Sequence, residues 1–120
     1  MVGGLPDSVP VRRLRRASQT PAVVLGADSN ALGFFRSLGR KGIPVLGLEN
    51  QWHPGMLSRF CHPILSPDPV LREDDALRFL QELGHAIGGR SVLLPTTDAF
   101  VTFVANHRSE LQDTYVFNVS

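Results

Sequence analysis

The run Ala22-Val23-Val24-Leu25 is apolar at every position and ends at Gly26, and it constrains the fold more than any other stretch. A helix face repeats its apolar residues every 3.6 positions and a half-buried strand every second one. A short unbroken run closed by a turn residue fits a strand covered on both faces. Such strands belong to parallel sheets, whose neighbours are joined by crossovers long enough to hold a helix.

The chain beyond Pro21 repeats this pattern. Ser29 is placed to cap a helix with Leu32, Phe35 and Leu38 inward, Arg40 and Lys41 suit its C-terminal end, and Gly42 and Pro44 stop it. A second strand follows from Ile43 through Leu48, ending at Glu49. Residues 50–59, with Trp52 and His53, read as a loop in which the lone tryptophan suits a satellite core anchor. Cys61 to Leu65 is the third strand, closed by Pro67 and Pro69. Leu77, Leu80, Leu83 and Ile87 then form one helical face, with Asp74 and Asp75 near its start and Gly88-Gly89 at its end. Ser91 to Leu94 is a fourth strand. Thr97 caps a third helix with Phe100, Val101, Val104 and Leu111 inward, and Tyr115 to Val119 is a fifth strand. Right-handed crossovers between such elements predict a three-layer, Rossmann-like α/β domain over residues 21–120, with a mainly parallel five-stranded sheet in the order 3-2-1-4-5.

Composition excludes several classes. Apolar residues make up 42% and charged residues 19% of 120, ordinary for one globular domain, and no apolar run approaches the ~18 residues of a membrane span. Four of the twelve basic residues, Arg12, Arg13, Arg15 and Arg16, lie in the first twenty positions beside one acid, Asp7, which leaves eight basic against ten acidic residues beyond them. A slightly acidic folded part argues against nucleic acid as a partner. The one cysteine, Cys61, excludes an internal disulfide and fits a reducing, cytoplasmic compartment. It reads as a small buried residue and not as a nucleophile. The four histidines, His53, His62, His85 and His107, lack a two-ligand spacing on one helix face, so no metal site is expected.

Residues 1–20 have no apolar period and read as an arginine-rich tail outside the core. No apolar h-region follows Arg12-Arg13, so a twin-arginine export signal is not expected. Arg15-Arg16-Ala17-Ser18 reads as solvated tail before a phosphorylation site. Deleting residues 1–20 is expected to leave the melting temperature unchanged, and a drop of several degrees would show that the tail packs on the domain.

The predicted strand order places a switch point between the first and fourth strands, where open α/β sheets bind ligands. Two loops meet there, Gly26 to Asn30 and Pro95 to Asp98. A dinucleotide would require a Gly-x-Gly-x-x-Gly turn, but the frame Gly26-Ala27-Asp28-Ser29-Asn30-Ala31 holds only the first glycine and puts a carboxylate at the second. Glu49 does fall about twenty residues on, where a ribose-binding carboxylate is expected. Gly26 and Glu49 are therefore the cofactor-binding candidates under a nucleotide reading. Asp28, Ser29 and Asn30 equally suit an amine or hydroxyl, with helix N–H groups free for a carboxylate, as in an amino acid. Their simpler role, shared by Thr97 and Asp98, is helix capping.

The stretch Val24 to Gly33, continuing through Arg36-Ser37-Leu38-Gly39-Arg40-Lys41-Gly42-Ile43-Pro44-Val45, resembles the N-terminal domain of ATP-grasp carboxylate–amine ligases of the D-aspartate ligase type. Ser58-Arg59-Phe60 and Leu94-Pro95-Thr96-Thr97-Asp98 resemble later landmarks of that domain, in the same order. The resemblance implies an enzyme that makes an acyl phosphate from a carboxylate, ATP and magnesium and lets an amine attack it. It also implies that the residues for ATP and metal lie in further domains. The chain ends about where the central domain of such a ligase begins, so the expectation is a front end that is inactive alone and holds no cofactor. Asp28, Ser29, Asn30, Thr97 and Asp98 are then substrate-binding candidates by position. The other readings are a stand-alone nucleotide- or metabolite-binding module and a regulatory domain.

Overall fold

The computed structural model describes residues 20–26, 29–49 and 62–117, with backbone only at 29–32, 34, 62 and 63. The elements run β1 (Ala22–Leu25), α1 (Ser29–Arg40), β2 (Val45–Glu49), β3 (His62–Leu65), α2 (Glu73–Ile87), β4 (Ser91–Pro95), α3 (Asp98–Asn106), α4 (Arg108–Leu111) and β5 (Tyr115–Val116). The strands form one sheet in the order β3-β2-β1-β4-β5, and every neighbouring pair is parallel. The predicted fold class and strand order both hold. The arginine-rich tail, Asp28, the 50–59 loop with Trp52, Cys61 and the end of the fifth strand lie outside the described residues.

Strand periodicity sorts the sheet into two faces. Val23, Leu25, Leu46, Leu48 and Leu93 belong to one buried cluster with Phe79, Leu80 and Leu83 of α2, Phe100, Phe103 and Val104 of α3 and Leu111 of α4. Val23 pairs in register with both Leu46 and Leu93, so these side chains share a face. Ala22, Val24, Val45 and Phe35 are also buried but outside that cluster, which places them on the opposite face under α1, the helix packed on β2. Right-handed crossovers give the same result. The path β1 to β2 and the path β3 to β4 run in opposite directions across the sheet and carry their helices on opposite faces.

Helix ends follow local chemistry. Gly42 and Gly88 take φ of 76° and 82° after α1 and α2, the left-handed stop for which glycine suits. Ser29, expected just before α1, is already its first residue. Ahead of α2, Arg72 makes no side-chain capping bond. Instead the Asp68 carboxylate accepts N–H groups from Val70 at 2.8 Å and Leu71 at 3.0 Å. Those bonds, Leu71 first, hold the Asp68 carboxyl below its ordinary range. Strand β2 starts at Val45, later than Ile43, although the Pro44 carbonyl still accepts the Ala22 N–H at 3.0 Å. Proline has no N–H to give to a ladder.

Two expectations about the third helix are corrected. Its single span to Leu111 is broken at His107, where α3 ends and α4 begins. Val101, expected inward, is 38% exposed, while Phe103 is buried. On a helix Val101 sits about 100° from Phe100, outside the arc that Phe100, Phe103 and Val104 share. Leu111 is buried as expected. At the far strand Tyr115 is buried and its hydroxyl donates to the Leu80 carbonyl at 2.7 Å. Burial raises its pKa.

Candidate functional site

The topology joins the two loops at the switch point. Leu25 pairs with Pro95 at the C-terminal ends of β1 and β4. Both the backbone N–H and the hydroxyl of Thr96 donate to the Leu25 carbonyl, at 2.9 and 2.8 Å. On the other side the Gly26 N–H donates to the Leu48 carbonyl at 2.6 Å. Gly26 has φ of +105°, and a Cβ there would lie 2.3 Å from Thr96 Oγ1 and 3.2 Å from Thr97 Cγ2. The missing side chain of Gly26 therefore makes room for the threonines of the neighbouring loop, at the glycine that a dinucleotide turn needs for its tight bend. With Asp28 at the second glycine position, the chain is expected to bind no NAD tightly. Micromolar affinity in titration calorimetry at ordinary salt would overturn this, and Asp28→Gly alone should not create a site.

The remaining candidates are distributed as follows. Ser29 and Asn30 lie in the first turn of α1 by backbone, and Asp28 before them is outside the described residues. Glu49 is 6% exposed at the C-terminal end of β2. Thr97 is the cap of α3, its hydroxyl oxygen accepting the Phe100 N–H at 3.3 Å. Asp98, the first residue of α3, is exposed. The structure thus brings Gly26 against Thr96 and Thr97, with Glu49 one strand away at the end of β2, directly after the Leu48 that accepts the Gly26 N–H, and turns Asp98 towards residues of the approach to α2.

A concave groove of about 430 Å³ opens beside Asp98, between α3 and the approach to α2. Glu73, Asp98, Thr102 and Asn106 supply its polar lining, and Val70 and Phe103 are among its apolar residues. One wall is braced by His107. Its Nε2 lies 2.6 Å from Glu73 Oε2, its Nδ1 3.4 Å from Glu110 Oε2, and its ring stands 4.9 Å from that of Phe103. Hydrogen bonds from Ser109 and then His107 hold the Glu110 carboxyl below its usual range.

Sequence reasoning missed Glu73, Thr102, Asn106 and His107. Glu73 starts an acidic run that a helix N-terminus explains by itself. A polar pair, Asn106-His107, directly after an apolar stretch was the available signal for the other wall. Among the described residues no group of three or more His, Cys, Asp or Glu could hold a metal ion, and no helix is long and apolar enough to cross a membrane.

No family model, curated protein or solved structure matches this chain.

Proposed function

We propose that this chain is the N-terminal, substrate-side domain of an ATP-dependent carboxylate–amine ligase of the D-aspartate ligase type. The observation that carries the reading is the bonding of the loop after β4 to the end of β1. Leu25 and Gly26 of one stretch behind the resemblance and Pro95, Thr96 and Thr97 of another are neighbours at the C-terminal end of the sheet, although about seventy positions separate them in sequence. A pocket wall built from those loops suits a small carboxylate or amine substrate. Asp28, Ser29, Asn30, Thr97 and Asp98 are its candidate contacts.

The chain's own residues do not fit ATP and magnesium. Phosphoryl transfer is positioning and charge neutralisation by lysine, arginine and metal-holding carboxylates. The one lysine, Lys41, follows the C-terminus of α1, away from the switch-point loops at the helix's other end. The described residues hold no metal-binding cluster. In this reading both belong to an ATP-grasp region, the working enzyme is cytoplasmic, and the domain shapes the substrate pocket. A nucleotide-binding module is the second reading, favoured by buried Glu49 at the ribose position and opposed by Asp28 at the second glycine position.

Reading the gene onward from codon 120 tests the proposal. An in-frame ATP-grasp region is expected, and a stop codon there would count decisively against it. In the extended enzyme Asp98→Asn should raise KM for the carboxylate or amine and leave KM for ATP nearly unchanged. A variant that loses only stability would reduce Asp98 to a helix-end residue, for which a loss of ~0.3–1 kcal/mol is typical.

A further inference from the structure

The geometry points to the groove between α3 and the start of α2 as a binding site for a small organic cation, an ammonium or guanidinium carried on an apolar body. This goes beyond the ligase reading and does not depend on it.

Shape is the first argument. A cavity of about 430 Å³ falls in the ~300–1,000 Å³ range of small-molecule sites. Charge is the second. Two carboxylates, Glu73 and Asp98, line the groove and no lysine or arginine does. An anion entering it would meet like charge without a compensating donor of positive charge. His107 does not reverse this. A proton on its ring is matched by Glu73 and Glu110 on either side, and Asp98 remains as an additional negative charge.

The apolar surface decides between an organic cation and a metal ion. Val70 is 66% exposed at the groove, and the Phe103 ring behind it belongs to the main core. Hard cations take six or more oxygen ligands, whereas two carboxylates over an apolar wall suit a single charged head on a hydrocarbon body. Carboxylates in the first turn of α2 and α3 are also favoured by the helix dipole. That account explains each acid separately. It explains neither the cavity between them nor an exposed valine in its wall.

The site is also braced before a ligand arrives. The Nε2 contact at 2.6 Å engages Glu73 Oε2, and Glu110 and Phe103 hold the His107 ring from other sides. One oxygen of Glu73 is thereby tied to the protein, which lowers the side-chain entropy lost when the carboxylate meets a cation.

The test uses three probes of one shape, 3-methylbutylamine, 3-methylbutanol and 3-methylbutanoate, titrated into the 15N-labelled chain while backbone amide shifts are followed. The amine is expected to move the Ala99, Thr102 and Asn106 amides saturably, with the acid leaving them in place. Glu73→Gln and Asp98→Asn together should weaken the amine about tenfold, as expected for two exposed ion pairs of ~0.5–1 kcal/mol each. Both replacements are isosteric and at exposed positions, and unchanged amide dispersion will confirm folding. Equal binding of the alcohol or the acid would show that the groove reads only the apolar body and would overturn the charge assignment. No saturable shift at about 50 mM amine, far above a weak Kd of ~1 mM, would overturn the site itself. Neither failure touches the ligase proposal, which stands on the reading frame and on the KM of the extended enzyme.

Discussion

Gly26→Ala is expected to destabilise the domain by about 2–6 kcal/mol, enough to unfold much of the population of a marginally stable domain. Two effects add. At φ of +105° a side chain is strained in any surroundings, and the new Cβ would come within 2.3 Å of Thr96 Oγ1. Relieving the overlap moves the hydroxyl that donates to the Leu25 carbonyl at 2.8 Å, a bond that ties the β4–α3 loop to the end of β1. At roughly 4 °C per kcal/mol the melting temperature should fall by ~8–24 °C. Thr96→Ala in the same chain removes the overlap and leaves the backbone strain, so the double variant should recover only part of the loss. Thermal melts followed by circular dichroism read both variants. A Gly26→Ala protein that melts with the parent would mean that the loop does not pack over Gly26.

The second large effect is expected from Phe103→Ala, at ~3–5 kcal/mol, the usual range for deleting a buried aromatic ring. The ring belongs to the cluster that joins the sheet to α2, α3 and α4 and also backs His107 at the groove. The loss should therefore be accompanied by a change in the His107 ring resonances, even in the milder Phe103→Leu. Val101→Ala, two positions earlier and 38% exposed, should stay within ~0.5 kcal/mol. The pair discriminates sharply, because the apolar pattern alone had assigned the inward position to Val101. Denaturant melts in which Val101→Ala is the more damaging change would reverse the orientation of α3.

Much of the architecture was legible in the residues. Ala22 to Leu25 fitted a strand buried on both faces, and all four residues are buried in β1. Gly42 and Gly88 marked helix ends because left-handed backbone strongly favours glycine there. Leu80, Leu83 and Ile87 were correctly read as one inward face of α2. These signals are local: a period, a cap or a stop acts within a few residues, so a linear reading captures it. Strand order followed too, because right-handed connection leaves few alternatives once the elements alternate.

The candidate site divides along the same line. Thr97 as the cap of α3 was legible, since it depends on one turn of helix and on its place after β4. The sequence by itself determined that the chain is an alternating α/β domain with a parallel sheet whose order switches between the first and fourth strands. Only the tertiary structure decided that Thr96 and Thr97 fill the space over Gly26 and that Glu73 and His107, 34 positions apart, brace the wall of a groove. These outcomes depend on how far two helices tilt across a sheet and which side chains then meet. That is a property of packing between distant segments, which neither periodicity nor motif spacing encodes.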